Sequence, residues 1–214
     1  MNIVDLRQEY MRAGLAEADA HPDPLVQFER WLKDALGAGL PLANAMTLAT
    51  VTAEGAPDAR VVLLKGVEGG GFVFYTNYDS RKGRQLAARP EGCLVFLWTQ
   101  LERQVRVEGH VTKVSPEDSD KYFATRPVGS RLSARASAQS SVVSGRDFLE
   151  SEMEKQKAMH GQNPPRPANW GGYRLTPARI EFWQGRENRL HDRLLYTHVQ
   201  GNPTNSWRIE RLAP

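Results

Sequence analysis

The stretch Arg60–Tyr78, RVVLLKGVEGGGFVFYTNY, sets two runs of β-branched and aromatic residues on either side of a triple glycine. Such runs favour strands, and glycine supplies the backbone conformations that a tight reversal needs. RVVLLKGVE (60–68) and FVFYTNY (72–78) therefore read as two arms of an antiparallel hairpin. Working outward, MTLATVTA (46–53) reaches RVVLLK through the turn EGAPDA, and CLVFLWTQ (93–100) with RQVRVEGHVTKVS (103–115) makes another hairpin. Beyond the linker GQNPPRPANWGG (161–172), strands resume as YRLTPARIEFWQG, RLHDRLLYTHV and, after GNPTN, SWRIERL.

Helices fall around these strands. Asp23 can cap a helix whose first turn holds Pro24, with Leu25, Phe28, Trp31, Leu32, Ala35 and Leu36 as one apolar stripe ended by Gly37 and Gly39. DSRKGRQLAAR (79–89) reads as a short helix capped by Asp79 or Ser80. Ser115-Pro-Glu-Asp opens another that runs to Arg126, and a further helix covers 144–160. No βαβ alternation and no glycine-rich dinucleotide or P-loop motif is present. The expected fold is mainly β, a closed or nearly closed antiparallel barrel with peripheral helices. Residues 23–214 read as one domain and residues 1–22 as a segment outside it.

The composition, 40% hydrophobic and 25% charged over 214 residues, is that of a globular chain. A net charge of +3 is too small to argue for nucleic acid. No apolar run reaches the roughly 18 residues that span a bilayer, and MNIVDLRQEYMRAGL lacks the apolar core of a secretory signal. The expected location is the cytoplasm, without a membrane partner. Cys93, the one cysteine, sits in CLVFLW and reads as a buried, inert thiol. It can build neither a disulfide framework nor a cysteine metal site. His21, His110, His160 and His198 lack metal-like spacing, so no metal is expected.

Several groups point to anions. Alternation puts Arg60, Val62 and Leu64 on one face of their strand and Val61, Leu63 and Lys65 on the other, so its basic ends could serve two different anions or simply emerge into solvent. Tyr75-Thr76 is followed by Ser80-Arg81-Lys82 at a helix start, where backbone N–H groups and adjacent cations suit phosphate. From Arg126 to Arg146 there are four arginines, six serines and no acidic residue, either a solvated basic loop or a phosphate site. Tyr122, Arg126 and Ser130 could converge as a hydroxyl–guanidinium–hydroxyl clamp, or line a helix end. Gln104, Gln139 and Ser140 read equally as surface residues, and Trp183 as core. In ENRLHDR (187–193), taken as a strand, Arg189, His191 and Arg193 share a face, which calls for an anionic or electron-rich guest.

RVVLLK, FYTN-x-x-SRK, LERQVRVEG, KYFATRP-x-x-S, QSS, EFWQG-x-x-x-RLHDR and W-x-I-x-RLAP, in that order, together resemble the pyridoxine/pyridoxamine 5′-phosphate oxidase family over essentially the whole chain. The resemblance implies a split-barrel flavoprotein acting as a homodimer, with FMN at the subunit interface. It implies oxidation of pyridoxamine or pyridoxine 5′-phosphate to pyridoxal 5′-phosphate, with O2 accepting the electrons to give H2O2. Another flavin split-barrel oxidoreductase, or a low-turnover FMN or B6-phosphate binding protein, are the alternatives. Arg60, Val61, Val62, Leu63, Leu64, Lys65, Tyr75, Thr76, Arg81, Lys82, Gln104, Gln139 and Ser140 would hold FMN, with Trp183 and Arg193 added by the partner subunit. Lys65, Tyr122, Arg126 and Ser130 would clamp the substrate phosphate. Arg189 and His191 would meet the pyridine ring and, with Arg193, form the catalytic set, while Arg7 and Tyr10 of a lid over 1–22 would close on the substrate. The chain departs from the family pattern at Leu42 and Ala43, where an acidic residue and a proline are usual, at Ser133-Ala-Arg135, and at Arg186 and Asn188.

Overall fold

The computed structural model describes residues 14–199 and 207–214. Helix α1 (Pro24–Gly37) starts where the Asp23 carboxylate accepts the Leu25 N–H at 2.8 Å. Its Phe28 ring meets Phe72 and Phe96, each with centroids 4.8 Å away, and Trp31 meets Phe182 edge-on. Leu36, expected on the buried stripe, is instead exposed one residue before the helix ends.

The strands are β1 (Ala45–Val51), β2 (Pro57–Leu63), β3 (Gly66–Glu68), β4 (Gly71–Asn77), β5 (Glu91–Trp98), β6 (Arg103–Lys113), β7 (Trp170–Gln184), β8 (Asp192–His198) and β9 (Trp207–Arg211). All pair antiparallel, in the order β2-β1-β5-β6-β7-β4-β3, with β8 on β7 and β9 on β8. The two ends of that path, β2 and β3, are joined by only Leu64 and Lys65, so the sheet curls back on itself around one apolar core. This is the expected mainly β, antiparallel barrel with peripheral helices. RVVLLKGVE is not a single strand: the Leu64 N–H turns to the Asn44 carbonyl and the Lys65 N–H to that of Val73, so the chain crosses from one edge to the other here.

β7 carries the fold's main division. Its first half pairs with β4 and its second half with β8, while β6 accompanies both. Between them the β6 register slips at Glu108/Gly109. Gly109 fits there because a Cβ would lie 2.1 Å from the Thr176 carbonyl oxygen.

Helices α2 (Arg81–Ala88), α3 (Pro116–Thr125), α4 (Val128–Ala136) and α5 (Arg146–His160) complete the fold. Ser80 and Ser115 cap α2 and α3. Part of the stretch from Arg126 to Arg146 is thus helix α4 rather than loop, held by buried Leu132 and by packing on α5. ENRLHDR is not a strand throughout either. Glu187–Arg189 form a 3-10 turn with positive φ at Asn188 and Arg189, and β8 begins only at Asp192. Alternation therefore does not place Arg189 with Arg193. Cys93 is half-buried, and burial pushes its thiol up. No helix among the described residues is long and apolar enough to cross a membrane.

Candidate active site

A cleft of about 550 Å³ opens where β2, β4, α2, α3 and α4 converge. β2 contributes Arg60, Val61, Val62 and Leu63, and Lys65 follows from the crossing. β4 and α2 contribute Tyr75, Thr76 and Lys82, joined by Gln139 from beyond α4. The ends of α3 and α4 bring Tyr122, Arg126, Pro127 and Ser130, and Trp170 opens β7. Twelve of the residues singled out in the sequence thus share one cavity, and among the described residues no carboxylate lines it.

Two corners of the cleft hold its cations. In the first, the Lys82 ammonium donates to Gln139 Oε1 at 2.9 Å, Thr76 Oγ1 at 3.1 Å and Ser80 Oγ at 3.3 Å. Lys82 is 9% exposed and has only neutral acceptors, so burial, with the Arg60 charge adding to it, brings its pKa down to about 8. In the second, Arg126 ends α3 with its guanidinium 4.6 Å from the Trp170 ring centre. Its Nη1 is buried without a hydrogen-bond partner, a cost that an anion would remove. Pro127 precedes α4 without a side-chain cap, so the first N–H groups of that helix lie beside Arg126 and Ser130.

An aromatic wall connects the corners. Tyr75 and Tyr122 stack at 3.9 Å, and Trp170 lies nearly parallel to both. Lys65 Nζ stands 5.8 Å from the Tyr122 ring centre. Gly172 makes room for this wall, since a Cβ there would lie 2.8 Å from Tyr75 Cε1, and Gly171 makes room for Tyr78, whose Oη would lie 2.1 Å from a Cβ. Trp170 was missed in the sequence, where it looked like part of a linker. The signal was available in an aromatic residue directly ahead of two glycines at a strand start.

Other candidates lie elsewhere. Leu64 is buried in the core. Arg81 is mostly exposed and pairs with Asp58 at 2.7 Å. Ser140 is an exposed residue at positive φ. Arg60 lines the cleft, but its guanidinium is committed to Asp58, Thr50, Gln85 and the Leu48 carbonyl. Arg7 and Tyr10 lie outside the described residues. Leu42 is 70% exposed at positive φ, and Ala43 is buried with its carbonyl accepting from Trp98 Nε1.

Gln104, Trp183 and Arg193 form a second group. The register pairs Gln104 with Trp183 and Trp183 with Arg193, so the three make one row across β6, β7 and β8 on the sheet's outer face. Gln104, expected among the residues that would hold FMN, thus stands in this row with Trp183 and Arg193 and does not line the cleft. His191 lies with its ring centre 4.6 Å from that of Trp183. Its Nδ1 accepts the Arg186 N–H at 3.1 Å, which puts the proton of the neutral ring on Nε2. Partial burial and the Arg189 charge lower its pKa, favouring that neutral form. Arg193 Nε donates to Glu181 at 2.8 Å and its Nη1 to the Ala213 carbonyl at 2.7 Å. None of the three residues of this row lines the cleft.

A curled antiparallel sheet whose cleft sets two cationic corners against one aromatic wall defines a β-barrel protein with a cleft suited in charge and shape to anions. Family comparison makes the assignment specific. Residues 32–160 match the family model described as pyridoxamine 5′-phosphate oxidase, and residues 170–214 that of the pyridoxine 5′-phosphate oxidase C-terminal dimerisation region. The chain belongs to the pyridoxamine 5′-phosphate oxidase family. It is 58% identical over 212 residues to the pyridoxine/pyridoxamine 5′-phosphate oxidase of Burkholderia vietnamiensis, and 57% identical to that of Burkholderia thailandensis, covering 99% of each chain. Among solved structures, PhzG from Burkholderia lata, in complex with tetrahydrophenazine-1-carboxylic acid, is similar with a TM-score of 0.87 and 30% identity, over 94% of this chain and 98% of that one. A pyridoxamine 5′-phosphate oxidase-related, FMN-binding protein from Nostoc punctiforme shares the fold, with a TM-score of 0.71 and 19% identity over 90% of this chain and 98% of that one.

Proposed function

We propose that this chain is an FMN-dependent oxidase of pyridoxamine 5′-phosphate and pyridoxine 5′-phosphate. With the amine, substrate, O2 and water give pyridoxal 5′-phosphate, ammonia and H2O2. With the alcohol, substrate and O2 give pyridoxal 5′-phosphate and H2O2. The observation that carries the reading is the pair of carboxylate-free cationic corners in one cleft, since cofactor and substrate would each bring one phosphate. FMN, when bound, supplies the redox chemistry; the protein supplies position and charge.

Lys82, Thr76 and Gln139 would hold the FMN phosphate, with Arg60, Arg81 and Ser140 as surrounding support and residues 61–65 and Tyr75 alongside the cofactor. Lys65, Tyr122, Arg126 and Ser130 would hold the substrate phosphate, and this remote binding energy fixes the reacting carbon. Gln104, Trp183, Arg189, His191 and Arg193 would come from a second copy. The row's absence from the cleft lining supports a homodimer, as does the family's dimerisation region over 170–214. A two-fold contact would build two composite sites at once, and Val61 and Leu97, 67% and 61% exposed on the outer face, would be covered by it. Arg193 would sit where negative charge develops on the cofactor, and His191 Nε2–H with Arg189 would orient the substrate ring. Residues 1–22 would act as a lid carrying Arg7 and Tyr10. Its root is anchored: the Leu15 N–H donates to Asp192, and the His21 carbonyl accepts from Tyr196.

The test is the visible spectrum and oxygen uptake of the purified protein. A yellow protein that retains FMN and consumes O2 with pyridoxamine 5′-phosphate is expected. A colourless protein that gains no bound flavin on adding FMN would overturn the reading. The likeness to PhzG favours a second reading, in which a flavin oxidoreductase of this fold takes a reduced polycyclic acid. Turnover of such an acid, with none of either B6 phosphate, would select it.

A further inference from the structure

We propose that Glu181 is a positioning residue that sets how much positive charge Arg193 presents to the bound cofactor. The proposal rests on the flavin reading above, which places Arg193 beside that cofactor.

Glu181 lies on β7, one row from Trp183 and on the same face, and is 4% exposed. Its Oε1 accepts from Arg193 Nε at 2.8 Å, while the Ala213 carbonyl takes Arg193 Nη1. These two contacts grip the guanidinium from two directions and fix its plane. Glu181 Oε2 accepts no hydrogen bond, and the Arg106 guanidinium stands 3.7 Å from it. Arg106 is itself committed to Glu108 at 2.6 Å. The neighbours of Glu181 across the sheet are Arg106 on β6 and Leu195 on β8, with Arg193 the nearest cation. Its negative charge is therefore balanced mainly by Arg193, the residue whose field is needed at the cofactor.

The arrangement is costly if Glu181 only holds the sheet together, because a buried carboxylate with one oxygen unbonded forfeits solvation. It is useful if charge is what matters. A lone arginine beside a flavin favours uptake of electrons, and a carboxylate behind it offsets part of that field. Glu181 thus separates where the guanidinium sits from how strongly it acts.

Glu181→Gln distinguishes the two roles, because an amide oxygen can still accept the Nε–H while the charge is gone. FMN should remain bound and its midpoint potential should move to a more positive value. In an Arg193→Met background the same change should shift the potential by less than half as much. Arg106→Gln, which removes a cation from the other side of Glu181, should move the potential negative and serves as the readout if Glu181→Gln does not fold. FMN-loaded variants whose potential stays at the wild-type value would overturn this inference and leave the flavin reading standing. Wild-type protein that binds no FMN would overturn both.

Discussion

In the cleft, Lys82 and Arg126 face no carboxylate among the described residues, whereas on β8 and β9 Arg193 holds one at 2.8 Å and Arg211 holds two at 2.7 Å or less. Arg211 forks onto Glu17 at 2.7 and 2.8 Å and also reaches Asp192 at 2.6 Å. The first region keeps the charge of these two groups uncompensated, at a cost in folding that a bound anion would offset. The second neutralises its charge internally and gains fixed geometry. Leaving charge available and fixing geometry are separate uses of arginine and lysine, and this chain separates them on different strands.

The contrast can be broken most severely at Arg193. Arg193→Met leaves Glu181 buried without its counter-ion, and should cost about 3 kcal/mol, seen as a melting temperature lowered by roughly 5–10 °C. Arg126→Ala should instead leave folding nearly intact while raising KM for the phosphorylated substrate about 50-fold, with FMN still bound; an unchanged KM would contradict the clamp. Lys82→Met sharpens the comparison by reversing a sign. Removing a buried ammonium with only neutral acceptors should stabilise the ligand-free protein by about 1–2 kcal/mol, while FMN titration shows affinity lost about 30-fold. A fall in stability would mean that the cleft is not held in reserve.

pH gives a smaller effect with a defined sign. The Lys82 pKa is about 8 in the fold, against the 10.5 ordinary for a lysine. The ligand-free fold is therefore penalised below about pH 8, and the penalty fades as pH rises toward 10.5. A bound phosphate needs the charged form, so FMN affinity should be full below about pH 8 and weaken by about tenfold per unit above it. Fluorescence titration across this range checks the slope, and Lys82→Met should flatten it. Least affected is an exposed pair such as Arg146–Glu150 on α5, where Glu150→Gln should change stability by less than about 0.5 kcal/mol.

Most of the barrel was legible because its strands alternate or run apolar between Gly, Pro and Asp turns. The start of α1 was legible because Asp23-Pro24 is a strong local signal. Three features were not. α4 reads as a serine-rich loop because nine residues are too few to hold a helix in isolation, and what stabilises it is Leu132 and the distant α5. The break at Leu64-Lys65 depends on carbonyls of Asn44 and Val73, which no local pattern encodes. The turn in ENRLHDR needs positive φ at two non-glycine residues, and an alternation of period two cannot reveal that. For the site, residue types gave the cations but not their division. Only the β6–β7–β8 register shows that Gln104 belongs with Trp183 and Arg193.

The bond from Arg193 to the Ala213 carbonyl, with the Leu212 N–H donating back to the Arg193 carbonyl, bears on how the protein is handled. Residues 212–214 lie exposed or half-exposed, so a change confined to this edge reaches the Arg193 guanidinium without passing through the core. Displacing the Ala213 backbone would release one of the two grips on Arg193 and leave the strands of the barrel in place, and a sequence fused or altered beside it would act on that guanidinium from outside.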